Sequence, residues 1–483
     1  MSGNYAAGEF FIDSFTLVNQ YNESIDLQQM VSNFQLYESI YNKFVTGEVH
    51  VMDGLNVLKN FRMTGQEFIR ISIKQKEGTD EKSEDQFSID KTFRVYKIDN
   101  IQRPQELTQT FVMRICDPKM FTVRRQRISQ TLRGRYDQIL QNVLIDLGKF
   151  RIGEFDAWEQ TVPENKQFIC PNWNISELMD YIVNNSQTGE AGAYKNGMFF
   201  FQTLNGGFRF QSFDEMCKLE FPIEFNDRPK NVTVGNEDEN INAPDGLNTT
   251  IIHYEKPQLF DTLQGTVGGA YASTLKVYDP VRKLEEEELY DLESTMNKGN
   301  HVSGGNPMLY VDDYERVLQP GLIVDPEVSP TIDEISVELQ PTKEPNTLII
   351  NDYHSIHPFD NATNITDPEV FEARKLKDSG ILQRRALLEI LQQHRIVVTI
   401  PLRTDLSAGL IIKLNIKSPE LAGDGVIEDK VNDNRYLITD LSITADPLTK
   451  RGVCHLECVK ESYATKIETF EPLTQSPSAE DMS

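Results

Sequence analysis

Cationic side chains are scarce: 48 Lys and Arg against 74 Asp and Glu leave a formal charge of -26 over 483 residues. That deficit excludes a general nucleic-acid binder held by phosphate contacts, because fixed negative charge repels the backbone. Cysteine is equally sparse. The five, Cys116, Cys170, Cys217, Cys454 and Cys458, are odd in number and scattered, so they specify no disulfide scaffold and fit a reducing compartment. Cys454 and Cys458 fall in an alternating stretch that puts Cys454, Leu456 and Cys458 on one strand face. With no second cysteine pair nearby, that spacing reads as core packing and not as a zinc site. Long hydrophobic runs are missing, so no membrane insertion is expected, and Met1-Ser2-Gly3-Asn4-Tyr5 opens no secretory signal. Folding and assembly are therefore expected in the cytoplasm of the producing cell.

The usual catalytic signatures are missing as well. His354-Ser355-Ile356-His357 is the only close histidine pair, flanked by Asp352 and Asp360, but Pro358 follows and the segment reads as a loop without metal-ligand spacing. Gly265-Thr266-Val267-Gly268-Gly269 lacks the Lys-Ser/Thr of a phosphate loop and reads as turns. No Gly-x-Ser-x-Gly elbow occurs. The run Glu285-Glu286-Glu287-Glu288 is contiguous, so its carboxylates diverge, and it reads as a solvated charged helix and not a calcium loop. Nothing singles out a carboxylate pair for glycoside hydrolysis. No catalytic, cofactor-binding or metal-ligating residue is assigned, no cofactor is expected, and the chain is read as a non-enzyme.

What is present is strand periodicity, in two places with one pattern. Gly47 to Asp53 leads into Thr64-Gly65-Gln66-Glu67-Phe68 and on through Ile73, with Ile69, Ile71 and Ile73 on one face and Phe68, Arg70 and Ser72 on the other. Ile396 to Ile400 passes through Asp405-Leu406-Ser407-Ala408-Gly409 into Leu410 to Ile416, where Leu410, Ile412, Leu414 and Ile416 share a face. A chain that builds one β module twice can use symmetry.

The length implies several domains. Residues 1–117 read as a first β domain, whose charged Lys76 to Asp85 segment belongs in a solvated turn. Residues 118–232 read as an inserted α/β domain. Ser129 is expected to cap a helix carrying Leu132, Tyr136, Ile139, Leu140, Val143, Leu144 and Leu147, stopped by Gly148. Asn174 and Glu177 form the pattern of a capping box, with Trp173 placed to pack on Leu178. Met198 to Thr203, Asn205-Gly206-Gly207 and Phe208 to Phe210 spell a hairpin. Trp158, Trp173 and the neighbouring Phe residues read as core and not as a sugar or nucleotide platform. Residues 246–280 and 367–465 make the second β domain, with a helix expected from Pro368 to His394 on the stripe Val370, Ile381, Leu387, Leu388 and Leu391, and a hairpin from Tyr436 through Asp446-Pro447-Leu448-Thr449 to Val453. Residues 281–366 are an acidic, Pro- and Asn-rich insertion, and 466–483 a polar tail.

Three stretches carry a resemblance in consistent order along the chain. The strand ending in Asp53, the connection through Asn56-Val57-Leu58 and the Gly65-x-Glu67 lead into the Ile strand resemble the baseplate hub protein of contractile-tailed bacteriophages. Gly268-Gly269-Ala270-Tyr271-Ala272-Ser273-Thr274-Leu275-Lys276-Val277-Tyr278-Asp279 is similar to a sequence of that family's second tube domain, and Tyr463 to Leu473 to its C-terminal end. The resemblance implies an α+β, mainly β fold: two related tube-type β-barrel modules, an inserted small α/β domain and an irregular insertion. It implies a virion protein of the tail baseplate, a homotrimer whose six modules form a pseudo-six-fold ring between tail tube and three-fold central spike. Its implied partners are a spike/lysozyme protein, a tail tube or tube-initiator protein, inner baseplate wedge proteins and a tape-measure protein, with DNA passing through unbound during ejection. Two other readings stand beside it. One is the spike-base component of a type VI secretion or related contractile injection system, disfavoured because no β-helix repeat is present. The other is a multidomain carbohydrate-active enzyme, for which no carboxylate pair can be named.

Overall fold

The computed structural model describes residues 7–75, 88–105, 108–162, 166–189, 194, 196–218, 223–227, 249–279, 284–292, 298–304, 306–307, 346–351, 380–422, 425–428 and 434–463. The fold is α+β and mainly β, built on one 14-stranded sheet. Alternation drives it. In Phe68–Gln75 the side chains of Ile69, Ile71 and Ile73 are fully buried while Phe68 and Arg70 face solvent, so the strand sits on a core by one face only. Ser72, placed by its spacing with the outward set, is buried as well.

The first module orders its strands Phe10–Val18, Phe68–Gln75, Ser88–Gln105, Thr108–Cys116, Thr46–Asp53, Val31–Ser39, all neighbours antiparallel. The second orders them Ile223–Asp227, Ile411–Asn415, Asn434–Asp446, Arg451–Lys460, His394–Pro401, His253–Gln258. The orders correspond strand for strand. They differ at the first pair, which is antiparallel in one module and parallel in the other. Equivalence extends to single residues: Phe68 faces Arg94 and Arg94 faces Cys116, as Ile411 faces Leu437 and Leu437 faces Val459. A β-bulge follows in both, skipping Tyr96 between Val95 and Lys97 and Thr439 between Ile438 and Asp440. The paired Ile69/Ile412 and Ile71/Leu414 occupy the same core positions, so the repeat seen in the sequence is a repeat of topology.

The modules are joined edge to edge. Val31–Ser39 of the first pairs antiparallel with the distal half of Asn434–Asp446, from Ser39 opposite Asp440 to Phe34 opposite Ala445. A single apolar core runs beneath both, from Phe10, Phe15 and Phe34 through Ile438, Ile443 and Leu456. The chain start also closes on the second module. Gly8, with φ 72°, accepts from Gly452 N at 3.0 Å, and Phe10 N donates to Lys450 O at 3.2 Å. A Cβ on Gly8 would lie 2.4 Å from the Gly452 carbonyl oxygen, so only glycine fits this approach.

Between the modules, residues from Lys119 to Met216 build short sheets and helices around a second, aromatic core. The helix Ile175–Asn185 carries the expected capping box, Glu177 N to Asn174 Oδ1 and Asn174 N to Glu177 Oε2 both at 2.8 Å. Trp173 packs against Tyr181 with ring centroids 5.0 Å apart and the planes tilted by 43°. The expected hairpin is Met198–Gln202 with Phe208–Ser212. The preceding helix begins later than its spacing indicates, at Tyr136 after an extended Arg135. Ser129 does not cap it, because residues 127–134 are taken up in strand pairs with Trp173–Asn174 and Lys166–Ile169, and Leu132 is buried from a strand.

Three further expectations are corrected. The glutamate run lies in the strand Leu284–Asp291, paired with Ala272–Asp279, and not in a helix. The pairing is with the strand just before it, Asp279 opposite Leu284, and four consecutive Glu residues show no alternation that would reveal it; Lys276 meets Glu287 across the pair at 3.7 Å. Gly265 to Gly268 belong to the helix Thr262–Gly268, capped by Asp261 and ended by Gly269 with φ 81°. The helix expected to reach His394 is described over Ile381–Leu391, and His394 starts a strand. The proposed Lys76 to Asp85 turn, Val370, His354, His357 and the tail 466–483 lie outside the described residues.

Candidate assembly surface

The junction between modules centres on one carboxylate. Glu38 sits on Val31–Ser39 at the inward position after Phe34 and Leu36. Its Oε2 accepts from Leu204 N at 2.6 Å and its Oε1 from Ala408 N at 2.5 Å, so it links the first module, the inserted hairpin and the second module. Burial pushes its pKa up to about 7 despite those two donors and the nearby Arg209 and Lys91 charges. Lys91 donates to Gly206 O at 2.5 Å, and burial lowers its pKa. Beside this point Ile40 N donates to Thr439 O, the bulge residue, at 2.9 Å. The Ile40 side chain is buried in a cluster with Phe199, Leu437 and Val459.

A second buried polar group underlies the last strand. His394 and Lys460 are fully buried. Lys460 Nζ lies 4.8 Å from the Tyr436 ring centroid and 4.9 Å from that of Tyr463. His394 Nε2 is 3.3 Å from Tyr436 Oη, and burial followed by the Lys460 and Lys256 charges lowers its pKa to about 3. Glu461 Oε1 accepts from Val302 N and faces His301 Nδ1, both at 3.0 Å. Neither of the two prominent cavities is lined by these residues, and two buried atoms of the group, His394 Nδ1 and Glu461 Oε2, have no hydrogen-bond partner among the described residues.

The motif residues weighed in the sequence do not converge on one site. Cys454 and Cys458 are buried core side chains; burial pushes the Cys454 thiol up to about 12 and the Cys458 thiol higher still. Trp158 packs against Phe155, Phe200 and Phe210, with its Nε1 donating to Asp137 O at 3.2 Å. Among the described residues no group of three His, Cys, Asp or Glu side chains is placed to hold a metal ion, and no helix is long and apolar enough to cross a membrane. Sequence reasoning passed over Glu38, although a carboxylate on the inward phase of an alternating strand is a legible signal.

The outer surface carries the features suited to assembly. Ser88–Gln105 outruns its partner: Phe68–Gln75 covers it only as far as Arg94, so among the described residues its half beyond Val95 is edged by Thr108–Cys116 alone. At the base of that half lies a cavity of about 590 Å³ bounded by Tyr96, Cys116, Met120, Phe121, Arg124 and Arg125. On the second module, Leu259, Phe260 and Leu263 are exposed by 43%, 71% and 79% at the end of His253–Gln258 and the start of the helix after it. Exposed apolar side chains gathered in this way mark interaction surfaces.

No family model and no curated protein matches the chain. Among solved structures, a tail protein from Neisseria meningitidis is similar at 9% identity and a TM-score of 0.49, over 95% of this chain and 97% of that one. A prophage tail protein from Shewanella oneidensis is similar at 10% identity and 0.43, over 93% and 98%. An E. coli component of the type VI secretion system is similar at 8% identity and 0.41, over 96% and 80%. At these identities the likenesses assign no role to any residue.

Proposed function

We propose that this chain is a structural virion protein of a phage tail, the baseplate hub. Three copies would contribute six modules to a pseudo-six-fold ring, joining a tail tube on one side to a three-fold spike on the other. The observation that carries the reading is the matching strand order of the two modules, with a shared bulge at Tyr96 and Thr439, together with their edge-to-edge junction. Two equivalent units already joined within a chain are the repeating element a ring of three chains requires. The ordered resemblance of the segments at Asp53 to Ile73, Gly268 to Asp279 and Tyr463 to Leu473 supports the same reading.

In this role the protein positions and seals, and its partners are the spike protein that bears the lysozyme chemistry, the tube or tube-initiator protein, wedge proteins and the tape-measure protein. The excess of carboxylates supports a neutral to acidic lumen through which DNA passes without sticking. Native mass spectrometry of the full chain tests the oligomer: a trimer is expected, and a monomer that persists in the presence of tube and spike partners would overturn the hub reading.

A further inference from the structure

The junction inside the chain specifies the junction between chains. Val31–Ser39 occupies, in the first module, the place that His253–Gln258 occupies in the second, each the last strand in its module's order. Within the chain, Val31–Ser39 adds to Asn434–Asp446 along the half beyond the bulge at Thr439. The strand equivalent to Asn434–Asp446 is Ser88–Gln105, and among the described residues its half beyond the bulge at Tyr96 is edged on one side only. Resting on the ring reading above, we propose that His253–Gln258 of one copy adds antiparallel to the half of Ser88–Gln105 beyond Tyr96 in the next copy. Repeated three times, this pairing closes the ring and removes an exposed edge.

A separate observation fits the same contact. In the chain's own junction, Ile40, just past the docked strand, fills the space beside Thr439 and Val459. The equivalents of Thr439 and Val459 in the first module are Tyr96 and Cys116, and these two border the open 590 Å³ cavity. Just past His253–Gln258 come the exposed Leu259 and Phe260. The second copy therefore brings Leu259 and Phe260 next to the position that Ile40 occupies inside the chain, and the cavity bordered by Met120, Phe121, Arg124 and Arg125 receives them. Burying one such aromatic side chain removes surface that a monomer leaves wet.

The in-chain pair Thr444 and Gln35 corresponds to Ile101 and Glu255 between copies. The test is mild oxidation of full-length I101C/E255C, with Q102C/E255C alongside because Ser88–Gln105 carries a further bulge between Asp99 and Gln102. T92C/E255C is the control, since Thr92 already faces Arg70 within the chain. All five native cysteines are buried, so background coupling is low. The expected result is a covalent trimer on a non-reducing gel for the 101 or 102 pair and none for the 92 pair. F260D, at a side chain 71% exposed, is expected to shift the native mass from trimer to monomer while its far-ultraviolet circular dichroism still shows the folded strand content. A trimer in which neither the 101 nor the 102 pair couples, or one indifferent to F260D, would overturn this contact and leave the ring intact. A monomer for the unmodified chain would instead overturn the ring reading.

Discussion

At the scale of residues, Glu38 is where the parts of the chain meet, and its protonation ties their union to pH. Its folded pKa of about 7 lies above the ordinary 4.5, so the folded state holds the proton more tightly than the unfolded state does. Stability from this group is full below pH 4.5 and is lost as pH rises toward about 7. The interval corresponds to roughly 3 kcal/mol. Glu38→Gln removes the charge but sets an NH2 donor against either Leu204 N or Ala408 N, which both donate to the carboxylate. The variant is expected to lie about 1–3 kcal/mol below the wild type in urea titrations near pH 4.5 and to close that gap by up to about 3 kcal/mol by neutral pH. A difference between the two proteins that does not change with pH would contradict this role. Glu38→Ala, which leaves the Leu204 and Ala408 amides without their acceptor, is expected to cost about 2–5 kcal/mol in the same titrations.

Elements divide into those whose signals are local and those that depend on distant partners. The Ile175–Asn185 helix is of the first kind, since its capping box lies within four consecutive residues; Asn174→Ala is expected to cost about 1 kcal/mol by denaturant titration. The alternating strands Phe68–Gln75 and Ile411–Asn415 were equally legible, because one buried face imposes period two on any sequence. Leu132 misled for the opposite reason: its strand pairs with Lys166–Ile169, far along the chain, and such pairing leaves no periodic trace in a mixed segment. The glutamate run misled although its partner Ala272–Asp279 is the strand just before it, because four consecutive Glu residues show no alternation. Gly268 misled through its neighbourhood: it belongs to a helix packed closely on Glu389, where a missing side chain serves contact and not a turn. The matching bulges at Tyr96 and Thr439 were invisible for a related cause, since a bulge is a relation between two strands and not a property of one.

For the whole molecule, charge and symmetry make separate predictions. With a formal charge of -26, the assembled ring is expected to bind duplex DNA weakly at moderate salt, because repulsion extends across a Debye length of about 8 Å. Filter binding across a salt series checks this, and tight binding with a steep salt dependence would mean a basic lumen. The central claim is geometric: two equivalent modules per chain, joined as the chain joins them, close as three copies. An electron-microscopy reconstruction of the purified full chain, computed without imposed symmetry, tests it most directly. A three-fold ring of six similar lobes is expected, with Val31–Ser39 on Asn434–Asp446 and His253–Gln258 on Ser88–Gln105 alternating around it. A closed ring of any other copy number, or particles in which the two modules of a chain do not occupy equivalent positions, would contradict it.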